Sequence, residues 1–250
     1  MRHLTCAILA VLAASGVARA QTGSNAWRDR GYVTVSGDYQ ANSSSVTDAL
    51  TFAKYVETET VTSSYKVESA PGFDVAGGVR IWRNLAVGVG VTRFTKTNSG
   101  SVSASIPHPF FFSKPRQISG EAGGVQHQET TVHVQVAWVA PVASRWQLTV
   151  FGGPSLFNVT QGLVSDITYS ESYPYDTAAF TSASVQQQSK SKVGAHAGID
   201  VAFMFSRNIG VGGVVRFTRS KLSFRDANGT AVDVDAGGAQ VGAGLRVRFN

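Results

Sequence analysis

Asp38, Asp74, Arg80, His133, His196, Asp200, Arg216, Arg246 and Arg248 each sit among apolar residues at alternating positions, with Gln135 spaced the same way. Successive side chains of an extended strand point to opposite faces, so this spacing gathers charge on one face and apolar groups on the other. The chemistry available to such a face is pairing of guanidinium with carboxylate, which the planar arginine fork suits. In a narrow interior the set forms either a salt-bridged plug or the lining of a small selective pore. His133 and His196 fall on the same face, but no third ligand stands at metal-binding spacing. They read as satisfied interior groups, and neither a metal nor any other cofactor is expected. No serine occupies a nucleophile elbow, and no Ser/His/Asp set can be argued from order. A lipid-modifying activity would need a histidine at a rim, with His133 as its candidate.

A second group lies in a long polar segment. Phe110, Phe111 and Phe112 are consecutive and bracketed by Pro107, Pro109 and Pro115. The prolines stiffen the segment and keep it out of a strand ladder. The rings either fold over neighbouring loops or form a docking surface, since exposed apolar patches mark contacts. A Tyr-rich acidic tract, Tyr169, Tyr173, Tyr175 and Asp176, follows further on. Tyrosines make adaptable contacts in binding loops, so Tyr173 and Tyr175 join the three phenylalanines as contact candidates.

The elements that must position these groups are strands. Period-two alternation runs through 31–40, 72–82, 85–94, 131–142, 146–157, 193–205, 209–218 and 237–249. Each is close to the ~10 residues that a tilted strand needs to cross a bilayer. Short turns at Arg83-Asn84, Ala143-Ser144-Arg145 and Ser206-Arg207-Asn208 alternate with long polar segments over 41–71, 95–130, 158–192 and 219–236. Stretches 51–67 and 163–183 carry Thr, Tyr, Val and Phe with poor alternation and two polar faces. They read as hairpin extensions above a membrane, and counting them as strands gives a ten-stranded alternative. Gly72-Phe73-Asp74-Val75-Ala76 echoes Gly198-Ile199-Asp200-Val201-Ala202, a repeated hairpin unit that suits an up-and-down barrel.

Residues 1–20 read as a secretory signal: basic Arg2 and His3, an apolar core over 6–14 and Ala18-Arg19-Ala20 for cleavage. The domain then covers 21–250. Cys6 is the one cysteine and precedes the apolar core, which excludes a lipid anchor, a disulfide or a thiol nucleophile in the mature chain. The formal charge falls from +6 to +4 when Arg2 and Arg19 leave, and it is spread out. A nucleic-acid partner is therefore not expected. No stretch is apolar enough for a spanning helix, so a membrane-embedded form must be a closed barrel.

The last strand shows the pattern best. Ala239, Val241, Ala243, Leu245, Val247 and Phe249 share one face, while Gln240, Gly242, Gly244, Arg246 and Arg248 share the other. With short turns at one end and long segments at the other, the chain resembles the outer-membrane β-barrel superfamily that includes the OmpA transmembrane domain, OmpX and OmpW. Gly244, Val247 and Phe249 look like the C-terminal signal that such proteins show the barrel-assembly machinery, with Asn250 as an added residue. The resemblance implies a single eight-stranded antiparallel barrel in the outer membrane of a Gram-negative cell, among lipid and lipopolysaccharide. It implies no single activity.

The leading function is non-enzymatic: a structural or surface-interaction barrel that meets an unknown extracellular partner through its long loops. The alternative is a narrow, porin-like channel for small solutes. Glycines 78, 88, 90, 194, 198, 210, 212, 242 and 244 are predicted inward and would leave room for such a bore.

Overall fold

In a computed structural model of the chain, residues 27–41 and 45–250 are described. The export signal over 1–20, its Cys6 and the expected new start at Gln21 lie outside the described residues. All regular structure among the described residues is strand: β1 (Gly31–Ala41), β2 (Ser45–Lys54), β3 (Glu57–Lys66), β4 (Ala70–Trp82), β5 (Leu85–Ile106), β6 (Arg116–Pro141), β7 (Trp146–Glu171), β8 (Ala178–Met204), β9 (Ile209–Arg225) and β10 (Ala231–Phe249). Among these residues no helix is long and apolar enough to cross a membrane.

Eight strands close a ring in the order β5-β4-β1-β10-β9-β8-β7-β6, and β6 pairs back onto β5. Every neighbouring pair is antiparallel, and the first and last ring strands meet with Gly31 opposite Phe249 and Gln40 opposite Gln240. Closure removes the unpaired edge that lipid cannot solvate. The hairpin β2–β3 stays outside the ring and pairs with β5 only over Thr60–Ser64. The eight-stranded expectation therefore holds, and the two further strands are a hairpin extension of the first long segment.

The long polar segments are mostly not loops. β6 runs for 26 residues and β8 for 27, far beyond a membrane's need. The reason is visible along β5. Its outward positions pass from Val87, Val89 and Val91 to Arg93, Thr95, Thr97, Ser99, Ser101, Ser103 and Ser105, while its inward positions pass from Gly88, Gly90 and Thr92 to Val102, Ala104 and Ile106. The alternation continues without a break, but its polarity reverses. In the lower part the exposed side chains are apolar; above, they are polar and the interior is a core of Leu50, Val61, Phe157, Leu163, Leu222, Phe224 and Val234. The stretches 51–67 and 163–183 thus have an apolar inner face after all, carried by Val61, Tyr65, Leu163, Val164 and Ile167. Serine and threonine between those residues hide the pattern in the sequence.

The lower part has the exterior of a membrane band. Trp82, Trp138, Trp146 and Phe249 lie exposed near the short turns, where Trp146 packs on Phe203 at 5.1 Å. Tyr39 and Phe217 mark the other edge, and Arg219 follows Phe217 on the outer face of β9. Amphipathic aromatics at both limits are what interfacial girdles use.

Candidate functional site

The interior of the band is built from the inward residues of all eight ring strands. β6 gives the vertical order: Ala137 near the short turns, then Gln135, His133, Thr131, Glu129 and His127, then Val125 in the upper core. At the bottom, Trp27 tucks under the barrel ahead of β1 and is 2% exposed. Its carbonyl accepts from Arg80 Nη1 at 2.6 Å, and its indole donates to Asp29 at 2.9 Å. Arg248 lies over the rings of Trp27 and Tyr32. Arg246 clasps Asp200 through Nε at 2.9 Å and through Nη2, while its Nη1 donates to Ser36 at 2.9 Å. One step higher, Arg216 Nη1 donates to Asp74 at 2.7 Å. Asp38 also points inward but carries a buried Oδ1 with no partner.

The two histidines meet above these pairs. Ser155 Oγ lies 2.8 Å from Nδ1 of both His133 and His196, and Thr92 Oγ1 lies 3.0 Å from His133 Nε2. His133 is fully buried, so it does not stand at a rim where it could meet a lipid substrate. Among the described residues, no three His, Cys, Asp or Glu side chains converge on a metal position. Above the pair, Glu129 bonds His127 Nε2 at 2.9 Å and Gln40 Nε2 at 3.3 Å. It also accepts the Gly237 N–H at 3.1 Å. Gly237 has φ +92°, a conformation suited to glycine, and this turns its N–H inward.

The glycines read as room for a bore are already occupied. A Cβ at Gly78 would lie 2.7 Å from the Tyr32 ring, one at Gly198 2.6 Å from Phe151, and one at Gly212 2.9 Å from Arg246 Nε. Small residues here make space for large neighbours rather than for water. The space left between Asp74, Gln135, Asp200, Arg216, Arg246 and Arg248 measures about 30 Å³, on the scale of one or two waters.

The loop candidates gather at the opposite end. Phe110, Phe111 and Phe112 are 66%, 56% and 74% exposed, and Tyr173 is 84% exposed. Phe110 meets Tyr175 edge-on at 5.6 Å, and Tyr175 meets Tyr173 at 6.2 Å. The connection between β5 and β6 therefore joins that between β7 and β8 in one aromatic summit. Its base is polar and fixed. His108 Nδ1 accepts from the N–H groups of Phe110 and Phe111 at 3.1 and 3.2 Å. Buried Arg116 donates to Glu171 at 2.6 Å and to the Pro107 carbonyl at 2.8 Å. Tyr55, at the tip of β2–β3, donates to Glu171 at 2.9 Å. Burial pushes the Glu171 carboxyl up, but the Arg116 and Tyr55 hydrogen bonds and the Arg116 charge outweigh it, so its pKa lies below the usual value.

The sequence matches the family model described as outer membrane protein beta-barrel domain over residues 7–249. The chain belongs to this family. Two solved structures share the fold. OprG from Pseudomonas aeruginosa is 9% identical with a TM-score of 0.52, and 91% of this chain covers 99% of that one. The outer membrane protease OmpT from Escherichia coli is also 9% identical, with a TM-score of 0.50 and coverages of 90% and 98%. No curated protein matches the chain.

As an outer-membrane barrel, this chain has its short turns on the periplasmic side and its summit outside the cell. In the C-terminal strand, Gly244 points inward and Val247 and Phe249 outward, on the strand that closes the ring. Gln240, placed on the polar face from the sequence, joins the interior network, and Ser36, Thr92, Ser155 and Gln40 belong to it but escaped the sequence reading. Their strand parity marks them as inward, but neutral polar residues stand out less than charges. Glu129, His127 and Arg116 were missed because they fall in a segment read as a loop.

Proposed function

We propose that this protein is a closed, non-enzymatic outer-membrane barrel that presents a rigid contact surface at its extracellular summit. The observation that carries this reading is the exposure of Phe110, Phe111, Phe112 and Tyr173 on a base held by buried Arg116. Exposed apolar rings on an ordered support are characteristic of contact surfaces. The Arg246–Asp200 and Arg216–Asp74 pairs and the Trp27 floor support a plug rather than a conduit. The partner belongs to the extracellular side, and the barrel itself serves as the anchor.

The test has two parts. The mature protein is refolded in detergent and examined in a planar bilayer. A folded but silent barrel is expected; reproducible ion steps altered by Arg246→Ala would instead establish the narrow channel. Separately, binding of the folded barrel to phospholipid vesicles, surface polysaccharide and intact cells is compared with that of a Phe110→Ser, Phe112→Ser, Tyr173→Ser variant. Loss of binding with an unchanged barrel is the expected result.

A further inference from the structure

One group of ionisable residues belongs to neither the lumen nor the summit. Inside the apolar extracellular core, Asp48 of β2 and Asp226 at the end of β9 are each 5% exposed. The two carboxyls lie within hydrogen-bonding reach of each other, where they can share a proton, and apart from that contact Oδ2 of each lacks a partner. Two hydroxyls on β3 share this condition. Ser63 is the direct cross-strand partner of Asp48, and the Tyr65 hydroxyl lies within the field of the Asp48 carboxylate. They are 2% and 3% exposed, and neither oxygen has a partner. Outside the carboxyl–carboxyl contact, four buried oxygens find no partner in a core of Val46, Leu50 and Phe224, a costly arrangement, since each buried polar group lacking a hydrogen bond opposes folding.

The surroundings show that the place is built and not frayed. Asn228, two residues beyond Asp226, donates to the Thr51 carbonyl at 2.8 Å and accepts the Thr51 N–H at 3.0 Å. Asp226 Oδ1 accepts the Thr230 N–H at 2.7 Å and so fixes its own turn. The β9–β10 hairpin is thus clamped to the β2–β3 hairpin, and the clamp holds two carboxyls face to face. Burial and the facing Asp226 raise the Asp48 pKa above the usual carboxylate value.

We propose that Asp48 and Asp226 form a divalent-cation site that locks the first extracellular hairpin to the last. The donors are all oxygen, two of them carboxylate, which selects a hard cation such as Ca²⁺, with water completing the coordination. Ser63 and Tyr65 supply the remaining polar wall. A bound cation converts the carboxylate repulsion into a bridge and gives the unpartnered oxygens a common ligand.

Terbium serves as the probe, because an aromatic ring beside the site sensitises its emission. The full-length barrel, folded in detergent free of lipopolysaccharide, is titrated with Tb³⁺ and then with Ca²⁺. Saturable emission under tyrosine excitation, displaced by Ca²⁺, is expected. Tyr65→Phe should lose most of the emission while Ca²⁺ still slows amide exchange at Thr51. Asp48→Asn with Asp226→Asn should lose both signals while circular dichroism shows an intact barrel. Absent emission overturns the proposal, as does emission unchanged in the double variant. Protection at Thr51 that rises on acidification and ignores Ca²⁺ would also overturn it, leaving a carboxyl pair that shares a proton.

Discussion

The membrane band and the extracellular crown are made of the same strands, yet each is the other turned inside out. On β10, Val241 and Leu245 face lipid while Gln240, Arg246 and Arg248 fill the lumen; higher on the same strand, Asp233 and Asp235 face water while Val232 and Val234 fill the core. Along β10 and β5 no residue is inserted to exchange the faces, and on β6 the bulge at Gly123–Gly124 shifts which residues point inward without changing the contrast. On β10 the side that faces inward is constant, and only the surrounding solvent changes. Lipid accepts apolar groups and forces polar ones inward, whereas water does the reverse. The crown therefore has a core held by the hydrophobic effect, and the band has an interior held by paired charge.

That contrast can be broken first at its buried charges. Asp200→Ala leaves Arg246 unpaired in the lumen and should cost about 3–5 kcal/mol in urea unfolding from detergent. Replacing both partners with apolar residues of similar size should recover most of it, and a double variant as unstable as the single would argue against a pairing role. In the crown, Leu222→Ala should cost about 2–5 kcal/mol through lost burial and the cavity left behind. The two variants should separate under amide exchange, with Leu222→Ala loosening the crown while the band stays protected.

The outer faces give the next effect. Leu245→Arg, opposite Val35 and Val211 in the middle of the lipid-facing band, should cost about 2–4 kcal/mol. Ser223→Arg on the outer face of the crown should change stability by no more than about 0.5 kcal/mol. Equal tolerance of both would show that the level of the band has been misplaced.

The smallest effects concern pH. The Glu171 pKa is lower in the folded state, so its contribution is present above the unfolded value and is lost as pH falls through the folded one. Asp48 is raised, so its contribution is full below the unfolded value and is lost as pH rises through the folded one. Over about pH 3–7, without divalent cations, Glu171→Gln and Asp48→Asn should therefore change the slope of crown stability in opposite directions. Slopes of one sign would contradict these assignments.

Much of this organisation is legible in the order of residues. Val87, Val89 and Val91, and the run from Ala239 to Phe249, announce a half-apolar strand. The short turns at Arg83-Asn84 and Ser206-Arg207-Asn208 fall where the ring turns. The crown was harder to read, because Ser99, Ser101, Ser103 and Ser105 look like loop residues until Val102, Ala104 and Ile106 are seen to share a core. The glycines misled for a related reason: a sequence shows that Gly78 is small, but not that Tyr32 lies across it.

Strands, their faces, the spanning lengths and the chemical types available to the lumen follow from the order of residues alone, because a two-residue period is a local property of the chain. Which charges pair is settled by the folded barrel, where Arg246 meets Asp200 and Arg216 meets Asp74 from different strands. It likewise brought Phe110 against Tyr175 and Asp48 against Asp226. Such meetings depend on closure of the ring and on strand register, which join residues that no local pattern connects.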